Sequence, residues 1–205
     1  MFSLPTPPRP RLVPYFCAPT HPPAVDQAVF TFLNQQLAHP ILDQVLPVYR
    51  DKLTWVPLYV IWMVVLLRRY GWRRTGLLLV LTALVIAVAD QLAASLLKPW
   101  VGSLRPCARG LAEVRSLVAC GGAYGFPSNH ATNHAAVAVM FSLTWVHGGL
   151  ARTLLFLWAA TIALAQVYVG KHYPSDILAG ALLGTAVALL GIMIYRRWAG
   201  PLRIN

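Results

Sequence analysis

Apolar positions gather into five runs, approximately 54–68, 75–97, 130–147, 152–169 and 175–195. As helices of about 20 residues, such runs cross the ~30 Å hydrocarbon core of a bilayer. The first is short and carries Pro57 in its opening turn, where the ring is tolerated. The last ends at Arg196-Arg197, and none has the layout of a cleavable signal peptide. Residues 25–48 differ: Val29, Phe30, Leu33, Leu37, Ile41, Val45 and Leu46 recur at helical spacing, interrupted by Asn34, Gln35, Gln36, His39, Pro40, Asp43 and Gln44. This pattern predicts an amphipathic helix pair in the membrane interface, with a sixth, poorly hydrophobic span as the alternative. Residues 1–24 hold eight prolines and are expected to form an extended or disordered tail. The fold class expected is all-α, a polytopic membrane helix bundle over residues 25–205.

Composition excludes a soluble domain. Hydrophobic residues make up 58% of the 205 and charged residues 11%, and the mean hydropathy is +0.59. With 17 basic against six acidic residues the net charge is +11. The basic residues punctuate apolar runs instead of forming a stripe, so nucleic acid is not expected as a partner. Arg68, Arg69, Arg73 and Arg74 fall in one tight connection, and Arg196, Arg197 and Arg203 lie at the C-terminal end. Both groups are expected on the cytoplasmic side. Alternation of spans then puts 98–129 and 170–174 together on the outer face. Lys98, Arg105, Arg109, Arg115 and Lys171 lie there against the usual bias, and binding an anion is the simplest reason.

Three clusters in these segments carry candidate chemistry. Lys98 closes a membrane run and Arg105-Pro106 follows, two cations suited to an oxyanion or, individually, to lipid headgroups. Phe126-Pro127-Ser128-Asn129-His130 opens the next run. Ser128 or Asn129 is a natural N-cap, and the free backbone N–H groups there favour an anion. Gly170-Lys171-His172-Tyr173-Pro174-Ser175-Asp176 opens the last. Pro174 suits the first helical position, and Asp176 can accept from one ring nitrogen of His172, leaving the other as a nucleophile.

Several other residues are read more simply. Cys107 and Cys120 are a possible disulfide in an oxidising outer loop, or two unpaired thiols; Cys17 has no assigned role. Asp90, deep in a membrane run, is read as a structural hydrogen-bond partner of a neighbouring helix. Tyr124, Tyr168 and Tyr173 are expected to be interface anchors. His130, His134, His172 and Asp176 can be drawn as a metal site, but Lys98 and Arg105 would repel a cation, and no metal or other cofactor is expected.

Lys98 with Arg105-Pro106, then Pro127-Ser128-Asn129-His130, then His172 and Asp176, in this order and spacing, resembles the type 2 phosphatidic acid phosphatase superfamily over about residues 28–195. Asp90-Gln91, Arg105-Pro106-Cys107 and Cys120-Gly121-Gly122 resemble a bacterial subgroup. The resemblance implies metal-independent hydrolysis of a lipid phosphate. His172 would be the nucleophile, Asp176 would orient it, and His130 would be the acid and then the base. Lys98, Arg105, Ser128, Asn129 and Gln166 would line the phosphate site. The expected setting is a bacterial inner membrane with the site facing outward.

Two positions depart from the family pattern. Ala165-Gln166 stands where Ser-Arg is usual, removing one cation; Lys171, Arg109 or Arg115 are the candidate replacements. Asn129 replaces a usual Gly. Undecaprenyl pyrophosphate is the substrate expected first. Lipid A, phosphatidylglycerol phosphate, or action as a phosphotransferase or weakly active phospholipid binder are the alternatives.

Overall fold

The computed structural model describes residues 22–146 and 148–199. Most of the proline-rich segment, Cys17 and Arg203 lie outside the described residues.

Helix α1 (Ala24–Thr31) starts directly after Pro23 and continues through a π-helical turn, Phe32–Gln36. Helix α2 (Pro40–Tyr49) begins at a proline, and its N-cap ring, His39, accepts from the Ile41 N–H at 3.2 Å. At about 1.5 Å per residue neither piece reaches across ~30 Å of hydrocarbon. Residues 25–48 are therefore the predicted helix pair and not a sixth span.

The two apolar runs 54–68 and 75–97 lie in one helical stretch, α3 (Val56–Gln91), interrupted at Gly71. There φ is 74° and ψ 167°, a conformation that suits a residue without Cβ. The stretch continues through a π-helical segment, Leu92–Leu97, into the short α4 (Lys98–Val101), which Gly102 ends in the left-handed region. Helices α5 (Asn129–Thr144), α6 (Gly149–Tyr168) and α7 (Pro174–Ala199) complete the bundle. Lys52–Val101, Gly149–Tyr168 and Pro174–Arg197 are each long and apolar enough to cross a membrane. Exposed Leu77, Val80, Leu84, Leu154, Leu182 and Met193 are the side chains such a bundle turns to lipid.

Helix α5 is the centre. Ala131, Thr132, His134, Ala136, Ala138, Val139 and Met140 are buried over most of its circumference, as expected of a helix largely enclosed by others. Its closest neighbour, α7, approaches through Gly180 and Gly184. A Cβ on either would run into the backbone of Ser128 or Thr132. Small residues one turn apart let two helix backbones meet in this way.

The Gly71 break packs beside the C-terminal end of α5, with Tyr70 and Trp145 rings 6.3 Å apart, and beside Tyr195 near the end of α7. The opposite end holds 98–129 and the α6–α7 turn, as the alternation of spans predicts. The N-terminal helices are fastened there. Asn34, fully buried, donates to the carbonyls of Arg115 (2.9 Å) and Tyr168 (2.7 Å) and accepts from the Arg115 N–H (3.0 Å). Arg115 also pairs with Asp43, whose other oxygen accepts from the Tyr168 hydroxyl at 2.6 Å.

Tyr168 and Tyr173 are thus not interface anchors. Both are 4% exposed beneath the N-terminal helices, Tyr173 with its ring 5.2 Å from Phe30. Tyr124 is half-buried in the 98–129 segment.

Candidate active site

The α6–α7 turn is tight because Gly170, at φ +84°, lets the Arg115 carbonyl pack where a Cβ would stand. Lys171 and His172 follow, and Pro174 opens α7. Asp176 sits in the first turn, where its charge suits the helix N-terminus. His172 Nδ1 lies 3.2 Å from Asp176 Oδ2, which also accepts from the Tyr173 N–H at 3.0 Å. Both side chains are essentially buried, at 2% and 1% exposure. Burial, followed by Arg105, Lys98, Lys171 and Arg50, pushes the His172 ring well below the ordinary histidine range, so it is neutral near pH 7. Neutral His172 donates from Nδ1 to the carboxylate, which leaves the Nε2 lone pair free.

Nε2 faces Arg105, whose Nη1 lies 3.5 Å away. Arg105 is aimed by the 98–129 segment: Leu104 bridges to Tyr124, the Arg105 N–H donates to the Ala123 carbonyl, and Arg105 Nε donates to Tyr124 O at 2.9 Å. Gly125 is required alongside, since a Cβ there would stand 2.8 Å from Asp176 Oδ2 and 3.2 Å from Arg105 Cγ. Lys98 Nζ reaches the carbonyls of Gly125 (3.3 Å) and Pro127 (2.5 Å), tying the end of α4 to the start of α5.

Ser128 is the N-cap of α5, yet its hydroxyl makes no capping bond; it is fully buried with no protein partner. Its N–H donates to the Asp176 carbonyl, which locks the two helix starts together. Asn129 turns its side chain away, donating to Asp90 Oδ1 at 2.8 Å, and Asn133 does the same at 2.9 Å. Asp90 thus has the structural role read for it, and the Asn129 side chain is committed to Asp90. Cys107 and Cys120 are joined, S–S 2.00 Å.

His130 faces the site from α5, while His134 lies one turn deeper, its ring 5.0 Å from Trp158. Among the described residues no three His, Cys, Asp or Glu side chains are placed to hold a metal ion.

Beside Gln166 lies a cation that sequence reasoning passed over. Arg50, the C-cap of α2, is 8% exposed; its Nε donates to Gln166 Oε1 at 2.9 Å and its Nη2 lies 3.5 Å from His130 Nε2. Of the candidate replacements, Arg115 is committed to Asp43 and Arg109 lies over the Tyr173 ring. Lys171 stays beside His172. Burial, then Arg50 and Arg105, lowers its ammonium to about 8.

A buried imidazole–carboxylate pair ringed by cations at one end of a membrane helix bundle defines a class, an integral membrane protein built to engage a phosphate group. The particular family follows from comparison: the PAP2 superfamily model matches residues 76–199, and the chain belongs to this superfamily. Lipid A 4'-phosphatase of Bacteroides thetaiotaomicron is 33% identical over 168 residues, covering 78% of this chain and 72% of that protein. Undecaprenyl-diphosphatase of Sulfolobus acidocaldarius is 33% identical over 85 residues, covering 39% of this chain and 37% of that protein. The crystal structure of Aquifex aeolicus LpxE shares the fold, with TM-score 0.58 at 22% identity over 83% of this chain and 96% of that one. The chain is a bacterial integral membrane lipid phosphatase of the PAP2 type.

Proposed function

We propose that the protein removes the 4'-phosphate of lipid A, in the inner membrane and from the outward-facing side. The His172–Asp176 pair carries the reading, with Nε2 open toward Arg105 and His130 nearby. His172 Nε2 attacks phosphorus and the bond from phosphorus to the sugar oxygen breaks. His130, which takes up a proton once the bound phosphate dianion offsets the surrounding cations, gives it to that oxygen. Neutral His130 then takes a proton from water, whose oxygen attacks the phosphohistidine; the P–N bond breaks and inorganic phosphate leaves. Lys98, Arg105, the Ser128 hydroxyl and the Asn129 amide hold the phosphoryl oxygens, and no metal takes part.

The lipid reading replaces the expectation of undecaprenyl pyrophosphate. Similarity to the lipid A 4'-phosphatase extends over 78% of the chain, against 39% for the undecaprenyl-diphosphatase. A largely apolar cleft of about 460 Å³ runs from Asn129 and His130 along Asn133 and Val137, against Tyr59, Trp62 and Ile86 of α3. It suits an acylated substrate that keeps its chains in the membrane.

The test is phosphate release by detergent-purified protein, with EDTA present, from lipid A, undecaprenyl pyrophosphate and phosphatidylglycerol phosphate. Lipid A should be the preferred substrate, and release should vanish in His172→Ala. Preference for another lipid overturns the substrate, and loss of release in EDTA overturns the metal-free route.

A further inference from the structure

The buried Arg50 guanidinium has no carboxylate within 4.0 Å among the described residues. An interior charge in that state is costly unless an anion or several hydrogen bonds offset it. One donor group, Nε, goes to Gln166 Oε1, and Nη2 lies at the margin of hydrogen-bond distance from His130 Nε2. The other cations of this end, Lys98, Arg105 and Lys171, surround the same His172 ring; Arg50 acts on it electrostatically as they do. Gln166 is fully buried, and its Nε2 has no protein partner. Two buried groups from different helices therefore bring spare donors together, Arg50 beside His130 and Gln166 against Arg50.

We propose that Arg50 is a phosphate-binding residue of the active site, and that Gln166 is its positioning residue. The reading rests on the proposed phosphatase site and adds to it a cation from outside the segment that the family model matches. Gln166 suits the task because its side-chain oxygen accepts from Nε, turning the opposite edge of the guanidinium toward His130. A planar fork held by one edge presents the remaining N–H groups to an oxyanion in fixed geometry. An arginine at position 166 would bring a like charge against Arg50, so one site accommodates the charge on α2 or on α6, not on both. The charge that Gln166 lacks has moved between helices.

Inorganic phosphate binding to the purified protein tests this apart from turnover. Arg50→Gln should weaken phosphate affinity at least tenfold and lower kcat/KM on lipid A about a hundredfold, the scale of losing one charged transition-state contact. His172→Ala should abolish turnover and leave phosphate affinity nearly intact. Gln166→Leu, which keeps the charge but frees the guanidinium, should lower kcat more than it raises KM. The double variant Arg50→Gln with Gln166→Arg, which moves the charge to α6, should recover affinity relative to Arg50→Gln alone. Thermal unfolding in detergent identifies a variant that fails to fold, and Arg50→Lys then replaces Arg50→Gln, with an intermediate loss expected. Wild-type phosphate affinity in a folded Arg50→Gln overturns the proposal. So does a double variant that folds and stays as weak as Arg50→Gln. Wild-type protein that binds phosphate through Arg50 yet releases none from any lipid overturns the phosphatase reading alone.

Discussion

Asp26 on α1 accepts from both the backbone N–H (2.7 Å) and the hydroxyl (2.6 Å) of Ser175, 149 residues further along the chain. The pair fastens the first helix to the start of α7, one residue before Asp176. The geometry of the His172–Asp176 pair therefore depends on an element outside every motif. Asp26→Ala removes two hydrogen bonds to a buried carboxylate, each of a kind worth about 1.5–3 kcal/mol. The expected result is a lower unfolding temperature in detergent together with reduced kcat; unchanged kcat in a folded variant would show the tether to be dispensable.

Replacing Asp176 by Asn keeps the shape but removes the negative charge and turns one of the two acceptor oxygens into a donor, so the His172 tautomer is no longer fixed. Activity should fall by about four orders of magnitude, comparable with loss of an orienting carboxylate elsewhere. Radiolabelled substrate should then leave less phosphohistidine on the protein than in wild type, measured after rapid quenching.

Lys171 links activity to alkaline pH. Its ammonium is lowered to about 8 by burial and by the neighbouring guanidinium groups. It is charged below that pH and neutral above it, so attraction for a phosphate dianion is present at pH 7 and lost as pH rises through 8. Since kcat/KM reports the free enzyme, its profile should fall above about pH 8. Lys171→Arg should carry the limb beyond pH 9, while an unmoved limb assigns it to another group.

Contact between α5 and α7 predicts a sharp contrast between glycines. A Cβ at Gly184 would collide with the Thr132 backbone, whereas one at Gly76 meets nothing within 4 Å. Gly184→Ala should destabilise by about 1–3 kcal/mol through overpacking. Gly76→Ala should be neutral or slightly stabilising. Thermal unfolding of the two variants side by side checks the packing of the central pair.

Much of this molecule is local and was legible as such. The five apolar runs, the meeting of segments 98–129 and 170–174 at one end, Pro174 at a helix start and Asp176 in the first turn all follow from bilayer thickness, alternation and helix-capping geometry, which act over a few residues or along one span. Three ordered motifs pointed to His172, His130, Lys98 and Arg105, which the fold gathers at one end of the bundle.

What tertiary structure alone decided is the set of partners that meet across long stretches of chain. Asn34 and Asp43 read as polar interruptions of an amphipathic pattern, but they are the bolts that hold α1 and α2 against the Arg115 loop and Tyr168. Tyr168 and Tyr173 resemble interface aromatics by position and are buried because those helices cover them. Arg50 and Gln166, 116 residues apart, become a unit only once α2 is laid against α6. Hydrophobic periodicity specifies which face of a helix is buried; it does not specify which distant polar group that burial will oblige it to satisfy.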